Sequence, residues 1–199
     1  MTREEAIAAT TPYQDLIFTI ILDAWSEWRA VQAFRAEQNM SPVIYKRVIA
    51  NYVHDAIARR AIPAFTSQEK VNVHLEAQTF KLHFSGLCAR FKKGDENNLG
   101  SNVPTQAALA FEEQDAMLPG LPPQTAKVDF IWRPNELWTE IAHVLIVCRD
   151  GDDVIWQHEL EAPGAGTEMS VFKFGTDSEP DSDEELVKPK RMPTEEHKD

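Results

Sequence analysis

A chain of 199 residues with 43% apolar and 26% charged side chains is long enough to bury its own core and has the balance of a soluble globular protein. Twenty Lys and Arg against 32 Asp and Glu give a formal charge of -12, which excludes a surface that is basic throughout and built to coat nucleic acid. Two cysteines exclude a disulfide scaffold.

The start Met1-Thr2-Arg3-Glu4-Glu5 lacks the basic-then-apolar order of a secretory signal. The longest apolar run, residues 16–22, is far shorter than the roughly 20 residues needed to span a bilayer. These features predict a cytoplasmic protein without a membrane span, in which Cys88 and Cys148 are small buried core residues.

Residues 1–10 are expected to be flexible, and residues 11–175 to form one α+β domain. Thr11-Pro12 is a helix start, a hydroxyl cap followed by proline. Ile17, Ile20, Ala24, Trp28 and Val31 then recur at spacings of three and four, predicting a helix to about residue 38. Ser41-Pro42 reads as the cap and first residue of a second helix, with rows Ile44, Val48, Tyr52, Ala56 and Tyr45, Ile49, Val53, Ile57. Pro63 should end it. The short connection predicts an antiparallel helical hairpin over residues 11–62.

A β-rich part should cover residues 70–175. The odd positions of 71–77 are apolar, then the even positions of 80–84. This parity switch needs a bulge or a tight turn. Residues 87–91 are expected to continue the strand beyond a kink at Gly86. Residues 94–101 form a loop by composition, and Ser101 or Asn102 should cap a short helix carrying Ala107, Ala108, Leu109 and Phe111. After the Pro-rich connector 119–123, the alternation Ala126, Val128, Phe130, Trp132, the doubly apolar stretch 140–148, and the row Val154, Trp156, His158, Leu160 beyond Asp150-Gly151 read as a β-meander. Residues 169–174 are expected to add a last strand. The fold class is therefore α+β, a helical hairpin packed on a mainly antiparallel sheet with one short inserted helix. Residues 176–199 read as a disordered acidic tail of net charge -5, leaving -7 on the rest.

Three constellations carry chemical interest. His74, Glu76, Lys81 and His83 share a sheet face if the parity switch is a tight turn, which would suit acid–base work or a hydrolytic metal, although no recognised ligand spacing is present and no metal site or cofactor is assigned. Lys46, Arg47, Arg59 and Arg60 on the second helix, and Arg90, Phe91, Lys92 and Lys93 at a strand end, form two basic patches suited to phosphates or an acidic protein. Residues 101–106 offer a helix start that could hold an anion or serve only as a cap. No nucleophile elbow, dinucleotide or P-loop glycine pattern occurs. His143 and His158 are placed where they could meet on paired strands. The five tryptophans are assigned to the helix–sheet interface.

The segments Phe84-Ser85-Gly86 through Arg90-Phe91-Lys92-Lys93, Ser101-Asn102-Val103-Pro104-Thr105-Gln106 and Leu118-Pro119-Gly120-Leu121-Pro122 resemble a family of bacterial and prophage-type accessory proteins over about residues 70–160. The resemblance implies a regulatory or toxin–antitoxin setting and assigns no catalytic residue. The expected function is a protein-interaction component of such a system, with a protein partner and no firm sign of catalysis. The alternatives are a nucleic-acid binder or nuclease using the basic patches, and a metal-dependent hydrolase using His74, Glu76 and His83.

Overall fold

The computed structural model describes residues 1–76, 79–100, 105–118, 120, 122 and 125–163. Six strands form one sheet in chain order: β1 (Asn72–Leu75), β2 (Phe80–Phe84), β3 (Leu87–Lys93), β4 (Ala126–Pro134), β5 (Ile141–Asp150) and β6 (Asp153–Glu159). All neighbours are antiparallel except β3 and β4, which run parallel. A parallel pair needs a crossover. It is supplied by residues 94–125, which carry the short helix α4 (Gln106–Glu112). The fold is α+β, as the alternation and helix periodicity predicted.

The helices α2 (Gln14–Glu37) and α3 (Lys46–Thr66) form the expected hairpin on one sheet face. Ile17, Ile21 and Trp28 of α2 and Val53, Ile57 and Phe65 of α3 are buried with Phe80, Leu82, Phe91, Phe130, Trp132 and Ile146 of the sheet. Removing each such large side chain from water stabilises the fold by about 1.5–3 kcal/mol, so this interface dominates the core. The smaller layer on the opposite face packs Phe111 and Leu118 against Cys88.

Several boundaries differ from expectation. Residues 3–10, expected to be flexible, form the helix α1 (Arg3–Thr10), because Thr2 and Glu5 make a reciprocal capping box and Ala6 and Thr10 are buried. The second long helix starts at Lys46 rather than Pro42, and Arg35 donates to the Ser41 carbonyl across the intervening turn. Pro63 does not end it. It sits inside the helix and forgoes one hydrogen bond to the Arg59 carbonyl, but the buried Ala61 and Phe65 on either side hold the chain helical to Thr66.

The parity switch before Phe80 is a hairpin, with Leu75 opposite Phe80. Gly86 is not a kink: Phe84 pairs with Leu87 across a two-residue turn in which Ser85 and Gly86 have φ of 49° and 78°. Helix α4 is capped by Thr105, whose hydroxyl accepts from the Ala108 N–H, not by Ser101 or Asn102. The anion site proposed for residues 101–106 falls mostly outside the described residues, as do the strand at 169–174 and the acidic tail. No helix among the described residues is long and apolar enough to cross a membrane.

Candidate functional site

The two basic patches converge only in part. Lys46 and Arg47 open α3, a helix whose first turn has no acidic residue and whose preceding Tyr45 makes no side-chain cap. Lys92 and Lys93 end β3. Together they line a cleft of about 470 Å³ with Ala50, Asn51 and His54. Residues 46, 50 and 54 and residues 47 and 51 follow the four-residue rows of a helix face, so one side of α3 forms a wall. Trp132 and Trp138 complete the lining. No carboxylate occurs among the described residues that line this cleft, in a chain of net charge -12.

Trp138 divides the cleft from a second cavity of about 770 Å³, where Asp95, Glu96, Glu136 and Arg133 give mixed charge. The ammonium groups of Lys46 and Lys93 lie 5.6 and 5.5 Å from the Trp138 ring centre, within cation–π range. The ring packs on Trp25 at 6.3 Å, and Trp25 packs on Trp132. Trp138 has φ 55°, a left-handed conformation costly for a bulky residue. Asn135 holds it there: its side chain accepts from the Thr139 N–H, and its carbonyl accepts from the Trp138 N–H.

The electrostatics follow from this crowding. Burial pushes Lys92 below the usual lysine value, and Arg90 pushes in the same direction. Burial also lowers Lys93, with Lys46 adding to the effect and Asp95 opposing it. His54 is lowered by burial and then by Lys92, which favours the neutral imidazole. An anion entering this cleft would oppose the lowering of Lys93 and His54.

Beside the cleft, the end of the helical hairpin exposes Phe34, Met40, Ile44, Tyr45 and Val48. Ile44 is 82% exposed, as is Leu137 next to Trp138. Single exposed apolar residues are ordinary, but six gathered at one end of a protein are not.

The other predicted contact residues are engaged elsewhere. Arg59 and Arg60 reach back to α2, where both bind Glu27 at 2.7 and 2.6 Å, and Arg59 also binds Asp55. Phe91 is fully buried in the core and cannot stack on a ligand. Arg90 is buried against Asp129, with Nε to Oδ1 at 2.6 Å, and its guanidinium lies over the Phe111 ring at 4.0 Å. Arg59, Arg60, Phe91 and Arg90, expected as ligand contacts, thus make structural contacts instead. Trp138, Asn51 and His54 were not singled out for the cleft. Trp138, which the sequence assigns to the helix–sheet interface, packs against that core through Trp25 and also lines the cleft.

His74, Glu76, Lys81 and His83 do share one face, since His74 pairs with Lys81 and Asn72 with His83. With Cys88, Ala110 and Leu118 they line a cavity of about 770 Å³ on the α4 side of the sheet. Lys81 and Glu76 form an ion pair at 2.6 Å. Among the described residues, no group of three His, Cys, Asp or Glu side chains converges as a metal site. Burial pushes the Cys88 thiol up to about 11, so it is a poor nucleophile at neutral pH. His143 binds Glu159 at 2.8 Å, while His158 lies opposite Ile146, so the two histidines are not partners.

Below α4, Lys127 is buried and donates to the carbonyls of Ala110, Glu113, Gln114 and Ala116. Read from sequence as a polar strand face, it is an anchor for the crossover.

No family model, no curated protein and no solved structure matches this chain.

Proposed function

We propose that the protein is a non-catalytic interaction component that docks a protein segment carrying both apolar and acidic side chains. The observation that supports this most directly is the cleft of Lys46, Arg47 and Lys93, which has no carboxylate among its described lining residues, beside the exposed Ile44, Tyr45 and Val48. Apolar anchors would supply binding energy and the cations orientation. The -7 charge on the rest of the chain disfavours a polyanion as long as nucleic acid, which would feel the whole surface, but leaves a short acidic segment free to enter a local basic cleft. A bacterial regulatory or toxin–antitoxin pair, expected from the family resemblance, is a setting that would use such a surface.

The test is affinity capture by the full chain from its native lysate, before and after nuclease treatment, using the wild type, Ile44→Asp and Lys46→Glu. A stoichiometric protein retained after nuclease and lost from both variants is expected. Nucleic acid as the sole retained species, or a protein that both variants retain, would overturn the proposal.

A further inference from the structure

The cavity between β1–β3 and α4 plays no part in the docking surface, yet its construction is that of a binding pocket. Its volume of about 770 Å³ lies within the range of drug-sized ligand sites. Cys88, Ala110 and Leu118 give it apolar walls, and His74, His83 and Gln106 bring hydrogen-bonding groups to the same lining.

The α4 wall is pinned in place. The Lys127 ammonium gathers the carbonyls of Ala110, Glu113, Gln114 and Ala116. The Gln114 side chain exchanges hydrogen bonds with the Lys127 backbone and donates to the Arg149 carbonyl at 2.7 Å. Arg90 stacks on Phe111 from beneath. Burying a lysine for this purpose is costly unless its hydrogen bonds are satisfied, and here they are. The wall therefore resists collapsing onto the sheet.

Charge selects the ligand class. Lys81 and Glu76 are the only permanently charged side chains among the described lining residues, and they are closed on each other at 2.6 Å. An anion would have to displace Glu76 from Lys81, and a cation would have to displace Lys81 from Glu76. An uncharged molecule avoids both costs and is rewarded by the apolar walls. We infer that this cavity binds an uncharged, largely apolar small molecule carrying a hydrogen-bonding group.

The probe is Nile red, a neutral dye whose emission reports an apolar environment, titrated into the full chain and then displaced by 1-decanol or by decanoate at about pH 8. One saturable site is expected, with decanol displacing the dye at concentrations about tenfold or more below those needed for decanoate. Ala110→Trp should fill the cavity and weaken dye binding about tenfold or more, while Ile44→Asp, on the separate exposed patch, leaves it unchanged. If Ala110→Trp does not fold, Gln106→Trp at the exposed start of α4 carries the same expectation. Glu76→Gln frees the Lys81 ammonium and should shift the preference toward decanoate, a change that a merely structural ion pair would not produce. Absence of saturable binding, equal displacement by decanol and decanoate in the wild type, or loss of the dye in Ile44→Asp but not in the folded filling variant would each overturn the inference.

Discussion

Glu27 shows how one carboxylate can hold two helices together. It stands on α2 and accepts from the Tyr52 hydroxyl at 2.7 Å, from Arg59 at 2.7 Å and pairs with Arg60 at 2.6 Å, all on α3. Arg59, then Tyr52, hold its carboxyl down to about 2, below the ordinary value of 4.5, with burial opposing and Arg60 assisting. A depressed carboxylate contributes stability that is fully present above its unfolded value and is lost as pH falls through its folded value. Glu27→Gln should therefore cost about 2 kcal/mol at neutral pH. The gap between wild type and variant should narrow from about pH 4.5 downward and close near pH 2. Urea unfolding of both proteins across that range measures it, and a gap independent of pH would refute the assignment. This pairing explains why Arg59 and Arg60 read as ligand contacts in the sequence: the acid they share lies on another helix, and only the Asp55–Arg59 pair has a local spacing. The same holds for Arg90, whose partner Asp129 lies on the next strand only because β3 and β4 are neighbours.

At the scale of elements, periodicity located the long helices and strands well, and turn chemistry was the weaker guide. Asp150-Gly151 announced its hairpin, and Asp150 indeed pairs with Asp153. Ser85-Gly86 passed for a kink because serine is not the usual first residue of such a turn. Yet both residues have positive φ, the conformation of the turn type that matches strand twist and favours Asn-Gly. Ser85 is exposed, so a replacement changes no core packing. Ser85→Asn should accordingly raise stability by about 0.5 kcal/mol, read as a higher unfolding midpoint at unchanged denaturant slope. A loss of stability would mean that the turn is held by something other than its backbone preference. The sequence also could not show that Lys127 and Asp129 are buried. Their alternation along β4 is that of a half-wetted strand, and only the crossover helix, packed on that face, removes them from water.

The cleft exists only at the level of the whole molecule. Sequence reading found Lys46 and Arg47 in one patch and Lys92 and Lys93 in another. Stacking α3 on the sheet brings them together, and the β4–β5 turn adds Trp138 between Lys46 and Lys93. Such a site conflicts with local rules, since a helix start favours acidic side chains and α3 opens with two bases and no acid. Conflicts of this kind are expected where a surface is kept for binding rather than for stability. The consequence is a pair of effects with opposite signs. Arg47→Glu places a carboxylate at the positive end of the helix, in the cleft where Lys46 lowers Lys93, at the loss of an exposed contact with the Tyr45 ring at 5.4 Å. Thermal unfolding should show stability unchanged or raised by up to about 1 kcal/mol. Affinity for the proposed protein partner should fall about tenfold or more, and its salt dependence should weaken. A variant that loses stability and binding together would make Arg47 a structural residue. A variant that gains stability and binds normally would place the partner elsewhere on the surface. Only the dissociation of the two effects is what a cleft built for an acidic segment requires.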